Sequence, residues 1–175
     1  MPVFVDANCF KGYFDAFVEE REDAYSNAFS LIKENGWIVL DRGGLFEQEW
    51  RSCTGGPDNI AAGDLIGDML AQDIIRIIEF KKDSAVGKSL RLEGLNAKDR
   101  RIVEFAVSCG LYSVVSHDVD LFEPKSKGCN AKKRHKIVHE RKGKFCKLAQ
   151  KKYGIIITCC LNFPDFVMNE RLMAT

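Results

Sequence analysis

The chain has no apolar run long enough to cross a bilayer and no basic region ahead of an apolar stretch at its N-terminus. A spanning helix needs about 20 apolar residues and a secretory leader needs a charged start, so neither is read here. None of the seven cysteines forms a Cys-x-x-Cys spacing. An odd number of thiols without that spacing argues for a reduced, cytoplasmic setting over a disulfide framework. Internal repeats and low-complexity tracts are also missing. What remains is an ordinary globular composition, 46% hydrophobic and 29% charged over 175 residues. That is enough for one domain with a real core.

The net charge of +1 conceals an asymmetry. Residues 123–152 hold 12 Lys/Arg against 2 Asp/Glu, and the remainder holds 14 basic against 23 acidic residues. An acidic body with one basic segment fits a cation-binding site beside a phosphate-binding surface.

Strands and helices alternate along the chain. Residues 2–8 read as a first strand, and 10–35 as mostly helical, with Phe14, Phe17, Val18, Tyr25, Phe29 and Ile32 on its apolar side. Gly36 stops that helix. Residues 37–40 are a second strand ending at Asp41, and 45–53 a short helix carrying Glu47 and Glu49. Residues 60–80 read as one helix, with Leu65, Ile66, Met69, Leu70, Ile74, Ile77 and Ile78 toward the core, and 81–93 as a polar connection. Asn96 is placed to cap a helix that ends at Cys109-Gly110, before a β-prone run at 112–116. A turn at Gly128-Cys129-Asn130 precedes a helix over 135–152, a strand over 155–160 and a C-terminal helix beginning at 162–165. This order predicts an α/β fold, a mostly parallel sheet covered on both faces.

Acids stand where that fold places ligand sites, at the carboxyl ends of strands. Asp6 follows the first strand, with Asn8 two residues on and facing the same side. Asp118 and Asp120 follow the 112–116 run, and Asp99 opens the helix before it. Clustered carboxylates raise one another's pKa, and a divalent cation removes that cost. Hard oxygen donors select Mg²⁺ or Mn²⁺, which can polarise a phosphodiester and activate a water. Each acid also has a plainer reading. Asn96-x-x-Asp99 has capping-box spacing, Asp41, Asp118 and Asp120 suit turns, and Glu47 and Glu49 suit a solvated helix face. Asp6, directly after an apolar strand, is the hardest to explain so. Two phosphotransfer patterns fail: a haloacid-dehalogenase-like enzyme needs an Asp where Asn8 stands, and a response-regulator receiver needs an acid pair near the first strand.

Four segments carry a family resemblance: VFVDAN (3–8), KDRRIVEFAVSCG (98–110), VVSHDVDLF (114–122) and YGIIITCCLNF (153–163). With these the chain resembles PIN-domain nucleases over nearly its whole length, the basic segment at about 123–152 standing as an insertion into a single domain at 1–175. The resemblance implies a three-layer α/β/α sandwich in which acids bind Mg²⁺ or Mn²⁺. It also implies hydrolysis of RNA, in many members as the toxin of a toxin–antitoxin pair, with defence a related setting. By position it assigns Asp6, Asp99 and Asp118 as metal and catalytic acids, with Ser116 in support; Asp120 as a further ligand and Asn8 as a supporting group rest on their places just past the strands. EQEWRS (47–52) favours Glu49 over Glu47 as the fourth. The partners expected are RNA, with an antitoxin, another regulatory protein or a second copy of the chain left open, and no membrane. The rival reading is a non-catalytic RNA-binding or scaffold module of the same fold.

Within the basic segment, Lys132, Lys133, Arg134, Lys136, Arg141 and Lys142 are candidates for phosphate contact, which positions RNA without reading its sequence. A solvated helix face is the plainer alternative. Cys129, His135, His139 and Cys146 could supply a tetrahedral Zn²⁺ site, although their spacing matches no common finger. The adjacent Cys159 and Cys160 read as small apolar residues of the last strand.

Overall fold

The computed structural model describes residues 1–167. At its centre lie five strands: β1 (Pro2–Val5), β2 (Trp37–Asp41), β3 (Ile75–Ile78), β4 (Ser113–Val115) and β5 (Ile156–Thr158). They form one sheet in the order β3-β2-β1-β4-β5, and every pairing is parallel. Val3, Phe4, Val5, Val114 and Val115 are fully buried, the unbroken apolar pattern of strands covered on both faces. The chain moves outward from β1 to β2 and β3, then returns to β4 on the other side of β1. The switch point therefore lies between β1 and β4, where Phe4 pairs with Val114 and Val5 with Val115.

Helices flank the sheet as the outer layers of an α/β/α sandwich. α1 (Ala7–Val18), α2 (Ala24–Asn35), α3 (Leu45–Cys53) and α4 (Ile60–Ala71) carry the chain out to β3. α5 (Ser84–Leu92) and α6 (Ala97–Ser108) bring it back, and α7 (Val119–Phe122), α8 (Ala131–Val138) and α9 (Lys144–Tyr153) connect β4 to β5. The change of direction after β3 divides the helices into an outward group and a return group. Packing follows that division, with α1 against α2 and α3, α5 against α6, and α7 against α8 and α9. Phe4, Phe46 and Phe105 join elements of both groups through ring contacts of 4.7 to 5.9 Å.

Several elements differ from the sequence reading, each for a local reason. The first strand stops at Val5, because Asp6 caps α1 instead of continuing the extended chain. The long helix over 10–35 is broken at 19–23, where Glu20 has a positive φ and Asp23 caps α2 with a full capping box. Phe17 and Val18, expected toward the core, are exposed at that break. The helix over 60–80 ends at Ala71; Asp73 takes a positive φ and the β-branched run after it becomes β3. β3 is an edge strand, so Ile77 is half exposed, and Leu70 on α4 is also exposed. The polar stretch 81–93 contains α5, which Asp83 caps. The helix over 135–152 is two helices, separated where Arg141 has a positive φ. Gly143 follows; a Cβ there would lie 2.4 Å from the Phe122 carbonyl oxygen, so only glycine lets α9 meet α7 this closely. Residues 163–167 are helical as expected, and the rest of the segment lies outside the described residues.

Trp50 joins α3 to the sheet. It is fully buried, stacks on Phe10 with centroids 4.0 Å apart, and donates its indole N–H to the Val5 carbonyl at 2.9 Å. Trp50→Ala should cost about 3–5 kcal/mol in urea unfolding. Leu92→Ser, at a position 88% exposed, should stay within about 0.5 kcal/mol of wild type.

Candidate active site at the switch point

Asp6 leaves β1 at its carboxyl end with its backbone N–H bonded to the Val115 carbonyl of β4 at 2.9 Å. One side-chain oxygen accepts the Ala7 N–H at 2.7 Å, capping α1. The other accepts from Ser116 Oγ at 2.7 Å and from Asn8 Nδ2 at 3.1 Å. Asn8 thus reaches Asp6 from the first turn of a helix, not from alternate positions of a strand. Ser116 Oγ also accepts the Asp118 N–H at 2.9 Å, and Asn8 Oδ1 accepts the His117 N–H at 3.2 Å. A chain of side-chain bonds therefore ties the end of β1 to the loop that carries Asp118.

The other acids approach from neighbouring elements. Asp99, buried in the first turn of α6, accepts from Asn96 Nδ2 at 2.6 Å, while Asn96 Oδ1 accepts the Asp99 N–H at 2.9 Å. Asn96 is therefore the cap, Asp99 holds the cap's side-chain amide instead of a backbone N–H, and its carboxylate lies close enough to Asp6, Asp118 and Asp120 to feel their charge. Burial first, then those three carboxylates, push the Asp99 carboxyl up to about 7. Burial also raises Asp6, against the opposing bonds from Ser116 and Ala7 and the charge of Lys98. Asp118 caps α7 through the Asp120 N–H at 3.1 Å. Asp120 is turned toward the following loop, where it accepts the Ser126 N–H at 2.7 Å.

Ion pairing separates the two candidate glutamates of α3. Glu47 is bound to Arg51 Nε at 2.9 Å, one turn along α3. Glu49 lies 3.4 Å from Lys98 Nζ, which itself lies 3.9 Å from Asp6. Glu49 thus faces the acids and Glu47 does not. Asp41 accepts the Leu45 and Phe46 N–H groups at the start of α3, so it is turn and cap chemistry. Glu49, Ser52, Lys98 and Arg101 line an open cleft of about 510 Å³ beside Asp6.

Lys98 is the site residue that sequence reading overlooked. Burial opposes its charge, but Asp6 and Glu49 outweigh that, and its ammonium is held above the ordinary lysine range. A signal was present: a lysine in the first turn of a helix opposes the macrodipole and calls for local anions.

In donor chemistry the acids fit a hard divalent cation: carboxylate oxygens of like charge, those of Asp6 and Asp99 buried and Asp99 pushed toward its neutral form. They are not drawn into a finished ligand shell. Among the described residues, the sole group of three metal-capable side chains whose ligand atoms all lie within 4.8 Å of one another is Cys9, His117 and Cys160. The proposed zinc set of Cys129, His135, His139 and Cys146 does not converge. His139 Nδ1 instead lies 3.3 Å from Cys159 Sγ, and Cys146 Sγ bonds the Gly143 carbonyl at 3.1 Å.

The basic segment is partly solvent-facing and partly structural. Lys132, Lys133, Arg134 and Lys136 are exposed on α8. Arg134 Nη2 donates to the His117 carbonyl at 3.1 Å, which sets that face beside the Asp118 loop. Arg141 is turned inward: it donates to the Ile157 carbonyl at 3.0 Å and lies 4.4 Å from the Phe166 ring centre. Lys142 pairs with Glu140 at 2.5 Å. No helix among the described residues is long and apolar enough to cross a membrane.

Comparison with protein-family models, with curated proteins and with solved structures finds no match.

The raised Asp99 carboxyl has a consequence for stability. A group held above its unfolded pKa contributes stability fully present below the ordinary carboxylate range, lost as pH rises toward its folded value of about 7. In chelator, Asp99→Asn, which keeps an acceptor for Asn96, should raise the melting temperature at pH 8. At pH 4 it should leave it nearly unchanged. Thermal unfolding at the two values, followed by circular dichroism, checks both the sign and the window.

Proposed function

We propose that the chain is a metal-dependent endoribonuclease that hydrolyses RNA phosphodiester bonds, of the PIN-domain kind that its motifs resemble. The observation that carries the reading is the meeting of Asp6, Asp99 and Asp118 at the switch point of a parallel sheet, with Glu49 across Lys98 from Asp6. The bonds from Ser116, Asn8 and Ala7 fix the orientation of Asp6 before any ligand arrives, which is the preorganisation a reacting site needs. Asp6, Asp99 and Asp118 would hold Mg²⁺ or Mn²⁺, with Glu49 and Asp120 at the margin. Bound there, the cation supplies charge stabilisation at phosphorus and an activated water, leaving a 5′-phosphate and a 3′-hydroxyl as the resemblance implies. In the metal-free site burial and the neighbouring carboxylates push the Asp99 carboxyl up to about 7, and cation binding there would release that proton and remove the repulsion. Lys98 is placed to meet a phosphate oxygen in the cleft, and the exposed cations of α8 extend that contact along the strand.

One observation favours the rival, a non-catalytic RNA-binding module: the Lys98 ammonium already offsets part of the negative charge of Asp6 and Glu49. Activity decides between them. Wild-type protein should cut single-stranded RNA with Mn²⁺ and stop in EDTA. Asp6→Asn and Asp118→Asn should lower cleavage by more than about a hundredfold, beyond the effect of losing an outer ligand, while circular dichroism stays native. RNA bound but left intact by wild type with Mn²⁺ would establish the module instead.

The α8 face has its own readout. Replacing Lys132, Lys133, Arg134 and Lys136 by Glu should weaken RNA binding alike across sequences. It should also flatten the plot of log affinity against log salt by roughly 0.7 for each phosphate no longer neutralised. Arg141→Ala should lower the unfolding midpoint and leave the salt slope unchanged, because its guanidinium bonds the β5 backbone. Binding isotherms at salt concentrations from about 50 to 200 mM, the range over which phosphate neutralisation separates variants, make the comparison.

A further inference from the structure

A second cluster lies next to the acids and shares none of their chemistry. Cys9 projects from the first turn of α1, His117 from the loop after β4, and Cys160 from the turn after β5. One ligand atom from each lies within 4.8 Å of the others. Both thiols are completely buried. The His117 Nε2 atom is buried and makes no hydrogen bond to nitrogen or oxygen; the polar group set against this ring is the Cys160 thiol, a weak partner for a buried ring nitrogen. Burial of cysteines as small apolar residues is common and would account for either thiol alone. It does not account for a buried ring nitrogen set beside two of them.

We propose that Cys9, His117 and Cys160 form a Zn²⁺ site. Two thiolates and one imidazole are three of the four ligands of a tetrahedral zinc centre, and soft sulfur donors separate such a site from the Mg²⁺ or Mn²⁺ chemistry of the acids. The fourth ligand is a water from the adjoining hollow of about 320 Å³, which His117, His139, Tyr25 and Asp23 line. Binding forms two Zn–S bonds and one Zn–N bond, and the two Sγ protons pass to solvent; nothing is oxidised or reduced. Zinc there would clamp the ends of β1, β4 and β5 together, and with them the loop that carries Asp118. The proposal stands whether or not the acids cut RNA.

The test uses the whole chain, stripped with chelator and reloaded. Zinc titrated against a chromophoric chelator should bind as one tight equivalent. Cobalt in its place should give a thiolate-to-metal charge-transfer band and the visible bands of a tetrahedral ion. Cys9→Ser, Cys160→Ser and His117→Ala should each weaken zinc at least tenfold, whereas Cys129→Ser should bind as wild type does. The cobalt spectrum of the wild-type chain needs no variant to fold. A spectrum without sulfur charge transfer, or tight zinc retained when Cys9 and Cys160 are both replaced, would overturn the assignment.

Discussion

A carboxylate taken out of water must find partners for its oxygens, and the centre of this protein is arranged around meeting that demand for Asp6. Only 2% of Asp6 is exposed, and its partners come from its own helix start and from the loop after β4. The bond from Ser116 is the decisive one, because it crosses 110 residues of sequence. It binds two strand ends that the sheet places side by side but would not otherwise lock in depth. Ser116 then passes the constraint on to Asp118. Position and ionisation are thereby coupled: the groups that orient Asp6 also oppose the rise in its pKa that burial imposes.

Most of the acids here also hold a helix start. Asp6, Asp118 and Asp41 cap helices, and Asp99 completes the cap of α6 with Asn96. The plain reading and the functional reading of these residues are therefore not rivals. A capping carboxylate is held at a fixed angle by an N–H group and still has lone pairs free to accept from a further partner.

Four of the five strands, and the position of Asp6 at a strand end, were legible in the sequence for the same reason: an apolar run closed by a polar residue is a short, local pattern. Residues 45–53 and the Asn96 cap were read with their observed bounds. What was lost was lost to ambiguity of period. The isoleucines at 74, 75, 77 and 78 fit a helix stripe as well as an edge strand, and only the positive φ of Asp73 separates the two. α5 escaped because its face is nearly all polar, with Leu90 its one fully buried side chain. Arg141 looked like the other cations of its segment, and nothing local announced that it turns inward to the β5 backbone. The cluster of Cys9, His117 and Cys160 could not be read at all, since its members are far apart in sequence and meet only once the strand order is known.

The close approach at Gly143 changes what the basic segment is. Its backbone is pressed against the Phe122 carbonyl, Arg141 anchors it to β5, and Arg134 holds it to the His117 carbonyl. It is thus a rigid ledge and not a floating arm. A floating arm would gather phosphates wherever they came within reach and so raise local concentration only. A ledge holds its charges at one offset and one bearing from the cleft; on the function proposed above it would act as a gauge, and a strand lying on it would present a given linkage to Asp6 only if its path had the matching length and curvature.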